Sequence, residues 1–199
     1  MKILAFSDLH CDLEATQKII DASMSADIVI GAGDFAVKGG GTAETYRLLS
    51  QMSVPTILVP GNHDNLDELQ QVCATNENLH YLHGQAITLK GQSFFGLGCE
   101  IPRRSDFDWN QTMSEEEAAD ALSYCPDGAV LVTHTPPFGY CDLQRDGTHE
   151  GSQSILNVIS RRKIKLHLCG HIHHAWGTTS SVADCEIINL GPTINWFEV

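Results

Sequence analysis

Five short apolar runs in this 199-residue chain each end in polar residues of a narrow kind. KILAFS (2–7) leads into Asp8-Leu9-His10, DIVIGAG (27–33) into Asp34, and TILVPG (56–61) into Asn62-His63-Asp64. AVLVTH (129–134) closes on His134, and IKLHLCGH (164–171) runs through His171 to Ile172-His173. Runs of this length, bounded by glycine and separated by helical patterns, read as buried strands of β-α-β units. In open α/β sheets the carboxyl ends of the strands are where ligands bind. One D-x-H or G-D means little, because short matches arise by chance; five in succession form a specific constellation.

The elements between these ends complete an α/β reading. Asp12 is placed to cap a helix with Leu13, Ile19, Ile20 and Met24 on one side, and further helices are expected over 42–52 and 65–74. The period then changes: residues 86–99 read as an antiparallel hairpin turning near Gly91. Ser114 and Glu117 form a capping box opening an acidic helix to about Tyr124. Another helix is expected at 152–162, and two or three antiparallel strands at the C-terminal end. About ten strands and few helices imply two packed sheets, and the length favours one domain over 1–199.

Composition narrows the partners. The formal charge of −13 comes from 25 acidic against 12 basic residues, and such a surface repels long nucleic acid. No apolar run approaches the roughly 20 residues a bilayer requires. Nor is the opening MKILAFSDLH long enough for the apolar core of a signal peptide, so a cytoplasmic protein is expected. Seven cysteines without a C-x-x-C pair read as reduced thiols.

The residue types at the strand ends point to metal. Asp, His and Asn offer oxygen and nitrogen donors without thiolate, which suits Mn²⁺, with Fe, Zn²⁺ or Ni²⁺ as alternatives, in a catalytic site. Seven candidates (Asp8, His10, Asp34, Asn62, His134, His171 and His173) exceed what one ion needs. A carboxylate can bridge, so two divalent ions are the economical count.

In this order, DLH, GD, GNHD, TH and GHIH resemble the calcineurin-like metallophosphoesterase superfamily, and they span residues 8 to 173. The resemblance implies a four-layer α/β sandwich: two mixed sheets flanked by helices, with a dinuclear site at strand ends. It also implies that Asp8, His10, Asp34 and His173 hold one ion and Asp34, Asn62, His134 and His171 the other. His63 would face the substrate as an electrophile or as the general acid, and Asp64 would orient it. AGDF and VTHTPPFG are similar to the small metallophosphodiesterase branch. Some of its members carry glycine where this chain has His171, so a complete dinuclear centre is expected here. The D-R-G signature of the protein phosphatases is replaced by FAVKGGG after Asp34.

The expected activity is therefore hydrolysis of a small phosphodiester, such as a small or cyclic nucleotide. The alternatives are a phosphomonoesterase, or a metal-binding scaffold of the same fold without catalysis. GAGDFA (31–36) fits a dinucleotide-binding fingerprint but lacks the following helix and the acidic residue about 20 positions on. Tyr140, Arg145 and His149 in the long loop 135–151, and Arg103 and Arg104 in EIPRRSDFDWN (100–110), are candidates for walls of the site. Asn189 is a further neighbour of the site or a turn residue, while His80, His83 and His167 read as structural. In an extended GHIHH segment, His171 and His173 would share a side and His174 would face away.

Overall fold

The computed structural model describes residues 1–199. Four parallel strands, β1 (Lys2–Phe6), β2 (Ile28–Gly31), β3 (Thr56–Leu58) and β4 (Leu79–Tyr81), are joined by helices α1 (Leu13–Ser23), α2 (Thr42–Leu49) and α3 (Leu66–Ala74). The second sheet begins with the hairpin β5 (Gln85–Leu89) and β6 (Gln92–Leu97), then takes in β7 (Val130–Thr133) and β8 (Leu166–Cys169). Its far edge is β9 (Thr179–Val182) and β10 (Cys185–Asn189), in the order β5-β6-β7-β8-β10-β9. Helices α4 (Glu115–Leu122) and α5 (Gln153–Arg161) connect its parallel strands. The last strand, β11 (Asn195–Glu198), crosses back to pair antiparallel with β1, giving β11-β1-β2-β3-β4.

Alternation along the strands builds the layers. Ile3, Ala5, Ile28 and Ile30 face inward and meet Phe94, Val130, Val132, Leu166 and Leu168 of the opposite sheet. Their neighbours Leu4, Phe6 and Val29 face outward and bury against Ile19, Tyr46, Leu49 and Leu69 of the first three helices. On the other outer face, Phe95, Leu131 and Ile187 meet Ala118, Leu122, Ile155 and Ile159. A strand buried on both faces has to be apolar throughout, which is why these runs show no polar alternation. The result is two mixed sheets with helices outside both.

Local signals hold in detail. Asp12 accepts the Ala15 N–H at 2.9 Å, and the Ser114–Glu117 capping box closes both ways. The β5–β6 hairpin turns through Lys90 and Gly91, both with positive φ, as a primed two-residue turn demands. Three details differ from expectation. On α1 the buried residues are Thr16, Ile19 and Ser23, whereas Leu13 and Met24 are exposed, because the helix meets the sheet on a narrower stripe. The three-residue β4 carries no apolar run of its own, and His80 lies within it. At the C-terminal end the expected antiparallel pairings form, β9 with β10 and β11 with β1, but β10 also pairs with β8 in parallel. No helix is long and apolar enough to cross a membrane.

Candidate metal centre

The strands stop short of the polar residues, and the loops that follow bend sharply. Asp8, His10, Asp34 and His171 all have positive φ, a region L-residues avoid at about 1–2 kcal/mol each. Such strain persists only where surroundings enforce it. Here the loops lace together: Asp8 N–H donates to Gly33 O (2.8 Å), His10 N–H to Asp34 O (2.9 Å) and Gly170 N–H to His134 O (2.9 Å). The His171 N–H reaches the Asp8 carboxylate at 3.1 Å, and Trp176 Nε1–H donates to Asp8 Oδ2 at the same length. Ser7 also hydrogen-bonds to that carboxylate.

Two donor sets result. Asp8, His10, Asp34 and His173 offer atoms that all lie within 4.8 Å of one another, and so do Asp34, His134 and His171. Asp34 belongs to both. His10 Nε2 lies 3.5 Å from one of its oxygens and His134 Nε2 lies 3.4 Å from the other. Asn62 joins the second set, with Oδ1 at 3.0 Å from both His134 Nε2 and His171 Nδ1. Its amide is oriented by donation from Nδ2 to Asn110 Oδ1 at 2.7 Å.

The donor chemistry fits a cation. His10 Nδ1 donates to Ala36 O (3.1 Å) and His134 Nδ1 to Ala32 O (2.8 Å), which leaves both Nε2 lone pairs facing the shared space. There they meet carboxylate and amide oxygens, and His10 Nε2 meets His173 Nε2 at 3.1 Å. Acceptors that converge on acceptors need positive charge between them. The titration directions show the same need for positive charge, which a proton on His134 meets where no ion supplies it. Burial alone would depress His134, yet Asp34 beside it raises it to about 9. Burial would raise Asp34, yet His134 and the other histidines hold it well below the usual carboxylate range. The first set is more open, its His173 side chain being 48% exposed, whereas His134 in the second is fully buried.

Two expectations are corrected. Asp64 does not orient the His63 ring. Its carboxylate accepts three backbone N–H groups, from Asp34 (2.9 Å), Ala36 (2.9 Å) and Gly61 (2.7 Å), and so fastens the ends of β2 and β3 together. His63 Nδ1 instead accepts the Lys38 N–H at 3.0 Å. Nor is GHIHH extended. His171 is left-handed and His173–Ala175 form a 3-10 turn, so the two histidines meet the centre through a bend rather than through strand alternation. His174 points elsewhere, into the wall of a neighbouring cavity of about 680 Å³ shared with Arg145 and His149; none of the seven donors lines that cavity. His149 is engaged by the buried Asp142 at 2.7 Å.

Other residues support the centre without a signal in the five runs. Asn189, fully buried, donates to Ile172 O (3.2 Å) and Cys141 O (3.0 Å) and so holds the turn. Glu100 lies 3.9 Å from His171 Nε2 and accepts from Asn110 at 2.7 Å. Arg104 is taken up by Glu100 and by the Glu150 carbonyl, and Arg103 by Thr112. Trp109 lies against His63 with ring centroids 4.6 Å apart. His167 stays structural, within β8 beside Thr133.

The fold and the gathered donors define a class: an α/β sandwich with a candidate dinuclear site at its strand ends. The chain belongs to the calcineurin-like phosphoesterase family, whose profile matches residues 1–175. It is 29% identical over 202 residues to UPF0046 protein K07C11.7 of Caenorhabditis elegans, covering 91% of this chain and 66% of that one. It is 29% identical over 151 residues to human metallophosphoesterase domain-containing protein 1, covering 70% of this chain and 41% of that protein. The chain thus spans less than two thirds of each. A probable glycerophosphodiester phosphodiesterase of Arcobacter nitrofigilis is 27% identical over 169 residues, 74% of this chain and 56% of its own length. Among solved structures, TT1561 of Thermus thermophilus superposes with a TM-score of 0.78 at 19% identity, over 98% of this chain and 97% of its own, a likeness of fold.

Proposed function

We propose that this chain is a dinuclear metal-dependent phosphoesterase acting on a small phosphodiester. The observation that carries this reading is the sharing of Asp34 between two sets of donors whose lone pairs face one space. Asp8, His10, Asp34 and His173 would hold one ion, and Asp34, Asn62, His134 and His171 the other. When bound, two such ions supply a water of lowered pKa and Lewis-acid stabilisation of the phosphoryl oxygens.

The protein's own contribution is positioning. Hydrogen bonds from Nδ1 of His10 and of His134 to backbone carbonyls fix the tautomer in which Nε2 would be free to hold an ion. Because His63 Nδ1 accepts from Lys38 N–H, its proton sits on Nε2, and burial favours the neutral ring. A neutral Nε2–H can donate to a phosphoryl or leaving oxygen. Transferring that proton outright would leave an anionic ring, so of the two expected roles the electrophilic one fits better than the general acid. Support for a diester over a monoester comes from Arg104, the arginine beside His171, which is already engaged by Glu100. A monoester's second negative charge finds no free guanidinium there. The Arcobacter relative's name points the same way.

The test is metal analysis combined with hydrolysis of bis(p-nitrophenyl) phosphate and p-nitrophenyl phosphate by the Mn²⁺-loaded protein. Two ions per chain, diester preference and loss of both after chelation are expected. Preference for the monoester would overturn the diester reading, and two bound ions without turnover of either ester would overturn the enzymatic one.

A further inference from the structure

The cavity of about 680 Å³ that His174 lines has no part in the chemistry above, and none of the seven donors reaches it. One wall comes from the loop between Gly139 and His149, the other from the segment between His174 and Ser180. The loop is built to hold its shape. Leu143 and His149 pair antiparallel across it, Gln144 N–H donates to Thr148 O at 2.8 Å, and the buried Asn189 pins its base through Cys141 O at 3.0 Å. Pre-formed pockets of about 300–1,000 Å³ with a few fixed polar groups are of the kind that small molecules fill.

Asp142 orients the loop's histidine. Its side chain is fully buried and both oxygens are engaged: Oδ2 accepts the N–H groups of Gly139 and Gly151, both at 2.9 Å, and Oδ1 accepts His149 Nδ1–H at 2.7 Å. That bond leaves Nε2 as the free nitrogen of a ring that lines the cavity. Arg145 is exposed and takes no carboxylate, unlike Arg47, Arg104 and Arg162, which pair with Glu44, Glu100 and Asp127. Its neighbour Asp146 turns instead to the Thr148 N–H (3.0 Å) and hydroxyl (2.7 Å) and does not line the cavity. His174 and the hydroxyls of Thr179 and Ser180 stand on the facing wall. The chain has 25 acidic residues against 12 basic, yet here a guanidinium and two imidazoles gather with no carboxylate but the engaged Asp142.

We propose that this cavity is a second binding site, apart from the metal centre, for an anion bearing a phosphate group, either free or carried by a small ester. A guanidinium fork matches phosphate oxygens two at a time, and hydroxyl and ring N–H groups supply the further donors that a tetrahedral anion takes. His149 Nε2 serves in either protonation state, accepting from a P–OH when neutral and donating to a phosphate oxygen when protonated. The volume leaves room beyond the phosphate for the group that carries it. Nothing in this inference depends on which ester the metal centre hydrolyses.

Binding is followed at the histidine rings rather than by turnover. The full chain, labelled with nitrogen-15 histidine and loaded with Zn²⁺ to keep its NMR signals sharp, is titrated with ribose 5-phosphate, inorganic phosphate and succinate. Spectra of His149→Gln and His174→Gln assign the two rings. The phosphates should move both ring signals along one saturation curve, and ribose alone should leave them in place. Arg145→Ala, at an exposed position outside the metal centre, should weaken that binding at least about tenfold, and Arg145→Lys should restore part of it. Tighter binding of ribose 5-phosphate than of inorganic phosphate identifies the ester as the occupant, and equal or weaker binding the free ion; each supports the site. Succinate bound as tightly as either phosphate would overturn the ligand class. Phosphate shifts confined to the other histidines, or a Kd unchanged in Arg145→Ala, would overturn the site while leaving the reading of the metal centre standing.

Discussion

Gly33→Ala measures how closely the strand ends must approach for the centre to form. Gly33 has φ +93°, and a Cβ placed there would lie 2.6 Å from Gly61 N and 2.6 Å from His134 Nδ1. Neither neighbour can yield freely. Gly61 is backbone at the end of β3, one residue before Asn62, and His134 Nδ1 is held by its 2.8 Å hydrogen bond to Ala32 O. Gly39→Ala is the control, because Gly39 also has positive φ (+74°) but nothing within 4 Å of the added carbon. The left-handed backbone costs alanine about 1–2 kcal/mol at either position. Gly33→Ala adds overpacking of about 1–3 kcal/mol and a disturbed hydrogen bond of about 1 kcal/mol. The expected losses are therefore about 1–2 kcal/mol for the control and about 3–6 kcal/mol for Gly33→Ala. At about 2–4 °C per kcal/mol for a chain this size, Tm falls by roughly 2–8 °C and 6–24 °C respectively. Thermal unfolding in chelator reads the stability, and calorimetric titration with Mn²⁺ reads the centre. Affinity should weaken in Gly33→Ala alone. Equal losses in the two variants, with equal Mn²⁺ binding, would refute the close-approach argument.

Other outcomes follow from the same contacts. His10→Ala and His171→Ala each remove a donor from a different set, so bound metal should fall from two ions to one and activity by at least about 100-fold; two ions retained by both variants would sink the ligand assignment. Asn189→Ala strips the Ile172 carbonyl of its buried donor, and should lose about 2 kcal/mol in urea unfolding along with Mn²⁺ affinity; intact affinity would show that the turn holds itself. His167, pushed down to about 3 by burial, refuses a proton that the unfolded chain takes up near pH 6.5. Stability should fall as pH drops from about 6.5 towards 3, by up to about 1.4 kcal/mol per unit from this residue, and His167→Gln should flatten that slope. An unchanged slope would mean that the ring is not held neutral.

The fold was legible where burial on two faces forces apolar runs, as at β1, β2, β7 and β8. It was least legible at β4, where Leu79 alone is buried and the strand forms by pairing with β3. The parallel pairing of β10 with β8 was hidden for a related reason. A residue run shows which faces are buried but not which neighbour supplies the hydrogen bonds, and that choice is made by the whole sheet. The stripe on α1 was overestimated because apolar residues at a helix end can satisfy the period without reaching the sheet, as Leu13 and Met24 show.

At the centre, residue types were legible and geometry was not. Strand ends in series show that donors will gather, since parallel strands deliver their carboxyl ends to one edge. They do not show how a loop bends after its strand. GHIHH illustrates the difference: alternation would bring His171 and His173 together only if the segment stayed extended, yet β8 ends at Cys169 and His171 turns left-handed. Asn189, eighteen residues beyond His171, holds that bend through the Ile172 carbonyl. Asp64 makes the same point from the other side. The family resemblance implied Asp64 as a partner for His63, but a buried carboxylate satisfies the nearest unpaired donors, and these are three backbone N–H groups at the ends of β2 and β3. The acid therefore fixes the spacing of the two loops that carry Asp34 and Asn62. Its effect on His63 is indirect, through the loop residues around Lys38.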